Sequence, residues 1–302
     1  MLLSRCVRLH RNRRGLTLLE LIVALGILAA LSTIAVRAID PLADQSRYEA
    51  TQRLLDDLRD ATVGSALARQ VNGQPIVSGY LADTGSLPTN VSDFLSMPAG
   101  LIAHQIQSFD SDRDSINDVT LASGWNGPYV LRGAGQTELL DGWGRPPLIG
   151  SDGGEFALVS LGSDNDSVLP EDGYQADLKA TIPASRFSSS VTFRLFAIDG
   201  NTHTRIDPSP SGLQRLGILL YAVNANGGTS GAIEEVMLNV DGSFEASQSA
   251  IIHGPAAARG ILWSDTNSDG QLDSGESISL RSFVHHFTVT GDSNLRIEME
   301  LR

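Results

Sequence analysis

Two periodicities divide the chain. From Leu16 to Val36 the residues are apolar almost without a break, and Glu20 is the only charge before Arg37. A run that is apolar on every side predicts a helix that needs an apolar environment all round, not one amphipathic face. Leu16 to Ile39 is 24 residues, and at about 1.5 Å per residue the helix reaches about 36 Å, more than the ~30 Å hydrocarbon core of a bilayer. From Leu42 to Gln70 the pattern turns amphipathic. Tyr48, Thr51, Leu54, Leu55, Leu58, Thr62 and Ala66 recur at three- and four-residue spacing among Arg53, Asp56, Asp57, Arg59 and Asp60. This predicts the solvent half of one long helix, with its stripe covering a sheet.

Breakers follow at Asn72-Gly73-Gln74-Pro75 and Asp83-Thr84-Gly85-Ser86-Leu87-Pro88, and the chain is rich in turns as far as Asp164. Phe156 to Leu161 predicts a short strand, and Asp141 to Pro147 a turn. From about Ser185 the texture is β. Val191 to Ile198 alternates, Leu216 to Val223 is a β-rich run, and Glu235 to Val240, Ser243 to Ala246, Gly260 to Trp263, Ile278 to Phe287 and Leu295 to Leu301 are further strand candidates. Asp199-Gly200, Asn226-Gly227-Gly228, Asp241-Gly242 and Gly291-Asp292 punctuate them. Short strands at this spacing predict a β-sandwich.

Charge sharpens the picture at the N-terminus. Arg5, Arg8, Arg11, Arg13 and Arg14 precede the apolar run, a positive-inside signal that keeps this flank cytoplasmic and sends the rest across the membrane. The whole chain carries −13; without those five arginines it has 17 basic against 35 acidic residues, a net −18. Such an acidic surface excludes nucleic acid as a partner and favours cations. Cys6 is the sole cysteine and lies in the basic flank, so the remainder forms no internal disulfide. A carboxylate in a membrane helix costs about 2.5 to 3.5 kcal/mol, so Glu20 needs a counter-charge that an isolated anchor does not offer.

Arg13-Arg14-Gly15-Leu16-Thr17-Leu18-Leu19-Glu20 resembles the N-terminus of type IV pilin-like proteins. The resemblance implies cleavage after Gly15 by a prepilin peptidase and N-methylation of Leu16. It also implies pairing of Glu20 with the N-terminal amine of a neighbouring subunit in a filament. The alternatives are a secretory signal peptide, for which Ala30-Leu31-Ser32 is a faint cleavage site, and a plain anchor. Arg37 stands where many pilins have a helix-kinking proline, and Pro41 follows four residues later.

Three inner stretches resemble the major pseudopilin of type II secretion in order and rough spacing. They are Asp83 to Thr89, the pair Trp125-Asn126-Gly127-Pro128-Tyr129 and Asp141-Gly142-Trp143-Gly144-Arg145-Pro146, and Phe156 to Asp164. This resemblance covers about residues 16–180. It implies a long helix with a small antiparallel sheet laid on its upper half. The expected fold class is therefore α+β: a transmembrane and stalk helix on a pilin-like sheet, then an all-β sandwich-like domain. The expected segments are a leader, 1–15; the helix, 16–72; a pseudopilin globular domain, 73–183; and an added β-domain, 184–302.

Three oxygen-rich stretches are candidate cation sites. Asp265-Thr266-Asn267-Ser268-Asp269-Gly270-Gln271-Leu272-Asp273-Ser274-Gly275-Glu276 fits D-x-[DN]-x-[DN]-G-x5-E at every position. Asp265, Asn267, Asp269, the Gln271 carbonyl, Asp273 and Glu276 are its candidate ligands, and its flanks look like strands, so it reads as a structural calcium loop; a solvated acidic loop is the alternative. In the second, the pseudopilin resemblance implies a calcium ion held by the Leu161 carbonyl, Asp164 and Asp177, to which Asp166 and Asp172 are added guesses. The third, Asp110 to Asp118, begins D-x-D-x-D, but Ser115 replaces the glycine and Leu121 the terminal acid, which favours a solvated turn.

Catalysis is not expected. G-x-S-x-G, H-E-x-x-H and G-x-x-x-x-G-K-[ST] are all missing, and Lys179 is the sole lysine. The expected function is a pseudopilin of a type II secretion system: a single-pass inner-membrane protein with a periplasmic globular part. Its expected partners are the prepilin peptidase, other pseudopilins or pilins, and the secretion assembly platform, with a separate ATPase supplying the energy of assembly. The alternative is a minor type IV pilin whose C-terminal domain is an adhesin; a membrane-tethered enzyme is a third.

Overall fold

The computed structural model describes residues 17–65, 78–133, 136–167, 173–223, 231–240, 242–291 and 294–302, without the side chains of 34–40. Helix α1, Leu18–Val63, is 46 residues long, or about 69 Å at 1.5 Å per residue. Thr17 caps it, accepting from the Glu20 N–H at 3.3 Å. The helix carries Pro41 in its interior without ending there. The expected stripe is the buried face: Thr51, Leu55, Leu58 and Thr62 are buried, while Tyr48 and Leu54 are half-buried. Arg47–Asp44 at 3.0 Å and Arg59–Asp56 at 2.9 Å line the wet face at helical spacing.

The helix ends earlier than the expected Gln70. Gly64 takes φ +77°, and a Cβ there would lie 2.6 Å from the Ser78 carbonyl oxygen, so the returning chain closes the last turn. Ala66 and Gln70 lie outside the described residues.

Helix α2, Tyr80–Thr84, follows, then strands β1, Gln105–Phe109, and β2, Val119–Ser123, which form an antiparallel hairpin. Strands β3, Leu148–Asp152, β4, Glu155–Ser160, and β5, Leu178–Ile182, make an antiparallel sheet in the order β3-β4-β5. That sheet packs on the second half of α1: Leu55, Leu58, Phe156, Leu158 and Ile182 share one core with Tyr80, Leu81 and Phe94. Burying a side chain such as Leu58 contributes about 2 kcal/mol.

The remaining strands are β6, Ser188–Ile198; β7, Arg205–Ile206; β8, Gln214–Val223; β9, Ile233–Val240; β10, Glu245–Ile252; β11, Gly254–Ser264; β12, Ile278–Arg281; β13, His285–Val289; and β14, Leu295–Leu301. One sheet runs β10-β6-β14, with β7 beside β6, and β14 pairs parallel to β6. The other runs β12-β11-β8-β9, with β13 also on β11. Val191, Phe193 and Leu195 of the first meet Ile218, Leu220 and Ala258 of the second in a shared core, as a sandwich requires. The expected strand from Ile278 to Phe287 is two strands, β12 and β13, both on β11.

The β1–β2 hairpin was not foreseen as strands. Its Val119 and Leu121 pack with Leu219, Tyr221, Ile261 and Trp263 on the outer face of the second sheet. This explains why β8 and β11 are buried on both faces, and why β8 reads from Leu216 to Val223 as a continuous apolar run instead of alternating. Gln107 and Ser123 donate to the Gly231 carbonyl, and the Ile233 N–H donates to Gln107 at 3.1 Å. Phe109 lies 5.2 Å from the Tyr221 ring. The hairpin thereby ties the part built on α1 to the sandwich.

Candidate functional site

At the N-terminal end of α1 the apolar side chains face outward. Leu18 is 78% exposed and Leu21, Ile22 and Val23 are each more than half exposed, so consecutive residues leave every side of the helix uncovered. Among the described residues no helix is long and apolar enough to cross a membrane; the apolar stretch with described side chains ends at Thr33. Gly15 and Leu16 lie outside the described residues.

Glu20 has a second role that its charge did not suggest. It is the third helical residue, and its Oε2 accepts from the Thr17 N–H at 3.4 Å, completing a capping box. The carboxylate therefore has a local partner in the single chain. Being acidic in the first turn, it also complements the helix dipole.

The three inner motifs hold the sheet to the helix. Asp141, 7% exposed, accepts from the N–H groups of Trp143 and Arg145 at 2.9 Å each and from the Ser160 hydroxyl at 2.7 Å, which fixes the turn and ties it to β4. Gly142 presents its N–H to the Thr51 hydroxyl of α1 at 2.8 Å. The Tyr129 hydroxyl donates to Asp83 at 2.9 Å, and Trp125 Nε1 to the Asp93 carbonyl at 3.1 Å. Burial and the neighbouring Asp83 charge push the Tyr129 hydroxyl well above the usual phenol range, against the Asn126 N–H, which donates to it at 3.0 Å and pulls the other way.

The Asp265–Glu276 loop joins β11 to β12, so its flanks are strands as expected. Asp265 is 1% exposed; its Oδ2 accepts from the Gly270 N–H at 3.2 Å and stands 3.5 Å from Arg215 Nε, while its Oδ1 is buried with no hydrogen-bond partner among the described residues. Gly270, at φ +77°, makes the turn. Asn267 Nδ2 donates to Asp269 at 3.0 Å and Asp273 at 2.8 Å, the Gln271 N–H donates to Asp269 at 2.8 Å, and Glu276 accepts from the N–H groups of Thr266 and Asp273. Hydrogen bonds from Asp273 and Thr266 hold the Glu276 carboxyl below its ordinary range.

At the second stretch the Leu161 carbonyl accepts from the Asn165 N–H at 3.1 Å, and exposed Asp164 accepts from the Asp166 N–H at 3.2 Å. Asp177 is half-buried, and Asp172 lies outside the described residues. Among the described residues, neither this stretch nor the Asp265–Glu276 loop brings three acidic groups within 4.8 Å of one another.

The third stretch does. One oxygen each of Asp110, Asp112 and Asp114 lies within 4.8 Å of the others, and two like charges about 4 Å apart near a protein surface repel by roughly 4 kcal/mol. Asp110 accepts from the N–H groups of Asp112 at 3.3 Å, Asp114 at 3.2 Å and Ser115 at 2.7 Å. These bonds outweigh burial and hold its carboxyl below the ordinary range. Burial pushes the Asp112 carboxyl up against the pull of Arg259 and Arg281. Apart from buried Ser111, the residues of this turn are exposed or half-buried, and Ser115 adopts φ +71°, the conformation a glycine would supply.

A model of the prokaryotic N-terminal methylation motif matches residues 10–36. The matched residues take in the end of the basic flank, Glu20 and the outward-facing apolar start of α1. Type II secretion system core protein G of Xanthomonas campestris pv. campestris is 25% identical over 155 residues, 51% of this chain and 80% of that protein. That similarity leaves about half of the chain uncovered. Among solved structures, GBS52, the minor pilin of Streptococcus agalactiae, overlaps 65% of this chain and 81% of its own at 15% identity and a TM-score of 0.19.

Proposed function

We propose that this chain is a pseudopilin subunit of a type II secretion system. It is stored in the inner membrane by residues 16–39, with its arginine-rich leader in the cytoplasm and its globular part in the periplasm, and it polymerises through α1. The observation that carries this reading is the helix end that is apolar on every side and uncovered by its own chain. That end needs lipid first and sibling helices afterwards. Cleavage after Gly15 leaves the new Leu16 amine four residues before Glu20, so stacked subunits can exchange amine and carboxylate. The relation to core protein G favours the secretion system over a pilus. The added sandwich is the feature that supports the second reading, a minor pilin whose C-terminal unit binds a surface.

Mass spectrometry of the protein from cells tests the processing step. The expected N-terminal peptide begins with N-methyl-leucine at Leu16 and depends on the prepilin peptidase. A chain still beginning at Met1 in cells that hold the peptidase removes the reading.

We also propose that the Asp265–Glu276 loop takes calcium, through Asp265, Asn267, Asp269, the Gln271 carbonyl, Asp273 and Glu276, as a structural ion of the sandwich. Its support is the buried, unpartnered Asp265 Oδ1, an oxygen that ordinarily finds a partner. Leu161, Asp164, Asp166, Asp172 and Asp177 are proposed as a second calcium loop on the family resemblance alone. Calcium should raise the melting midpoint of the full chain, and Asp269→Asn should remove at least half of the rise. An unchanged rise in that variant refutes the first loop.

A further inference from the structure

The Asp110–Asp118 turn lies where the β1–β2 hairpin meets the sandwich, and its charges do not balance. Asp112, Asp114 and Asp118 pair with Arg259 or Arg281, Asp110 lies within 4.8 Å of Asp112 and Asp114, and Arg113 is taken by Glu235 at 2.5 Å. Four carboxylates against two guanidinium groups leave an excess of two negative charges, which is the charge of one divalent cation. The two oxygens of Asp112 also differ. Oδ2 meets Arg259 Nη2 at 3.1 Å and pairs with Arg281. Oδ1 is buried with no hydrogen-bond partner among the described residues, on a side chain only 4% exposed. A buried carboxylate oxygen without a hydrogen-bond partner, on a residue clustered with two further carboxylates, is what a bound cation would engage.

We infer that Asp110, Asp112 and Asp114 hold one divalent cation, and that this ion fastens the β1–β2 hairpin to the sandwich. The donors are hard oxygens from alternate residues of a tight turn, a set suited to calcium, which tolerates irregular shells of six to eight oxygens, more than to magnesium. Carbonyl groups of the turn and water would complete the shell. The site is separate from the Asp265–Glu276 loop and does not depend on how the chain assembles.

The test is calcium binding to the full chain in detergent after chelator treatment, by equilibrium dialysis, with hydrogen exchange of residues 105–123 as a second readout. Asp114→Asn changes an exposed acid and spares the Asp112 pairs; Asp110→Asn is the second variant. Each should weaken one calcium-binding event at least tenfold. Calcium should slow exchange in the hairpin of the unaltered chain and of Asp269→Asn, but not in Asp114→Asn. Calcium affinity and stoichiometry unchanged in both variants, or hairpin exchange indifferent to calcium, overturns the site. Either result would mean that Arg259 and Arg281 suffice as counter-charges.

Discussion

Gly142→Ala should cost the protein roughly 4 kcal/mol and lower its melting midpoint by about 10 °C. A Cβ at Gly142 would sit 2.0 Å from the Arg47 carbonyl oxygen and 2.6 Å from its carbonyl carbon, both on the backbone of α1. The helix cannot yield there without breaking its own hydrogen bonds. The turn cannot yield either, because Asp141 pins it through Trp143, Arg145 and Ser160. Displacing the turn also loses the bond from Gly142 N–H to Thr51, worth about 1 kcal/mol. Gly144→Ala, two residues on, is the control. Gly144 has φ +82° and open space around it, so alanine there meets only left-handed strain of about 1 to 2 kcal/mol. Thermal unfolding of the full chain in detergent should separate the two clearly; equal losses would mean the turn does not rest on the helix as described.

Arg259→Met should destabilise by about 3 to 5 kcal/mol, because it removes one partner of a buried charge cluster and strands the others. Arg259 is 7% exposed; it donates to the Ser282 carbonyl at 3.1 Å and the Ser111 hydroxyl at 2.7 Å, and it pairs with Asp112 and Asp118. Methionine keeps the volume but leaves Asp112 and Asp118 without their buried guanidinium. Arg281→Met removes a half-exposed side chain from the same Asp112 and should cost under about 1 kcal/mol. Hydrogen exchange should show the Arg259→Met loss concentrated in residues 105–123. A loss no larger than that of Arg281→Met would show that the buried arginine does not hold the hairpin.

Much of this was legible in the sequence because it rests on local pattern. The stripe from Thr51 to Thr62, the turn at Asp141 and the strands β6, β8, β9 and β14 follow from spacing and turn chemistry within short windows. What escaped reading depends on distant partners. Asp110 to Asp118 looks solvated until Arg259 and Arg281, well over a hundred residues away, are folded against it. The hairpin escaped for a related reason. Val119-Thr120-Leu121-Ala122-Ser123 alternates buried and exposed over only five residues, and the sheet face it covers is formed by residues beyond 214. The capping role of Glu20 was legible, since Thr17 stands three residues before it. The unusual setting of an acid in an apolar run drew attention to intersubunit pairing instead.

The two roles of Glu20 can be separated by one substitution. Glutamine keeps the capping box, because its side-chain oxygen can still accept from the Thr17 N–H, but it cannot pair with a positive amine as a charge. The deciding measurement is therefore the fraction of Glu20→Gln protein recovered in sheared filaments, relative to the membrane-bound pool. The account predicts normal membrane insertion with filament incorporation reduced at least tenfold. Filaments containing Glu20→Gln at the level of the unaltered protein would contradict it, and would leave the acid as a helix cap alone.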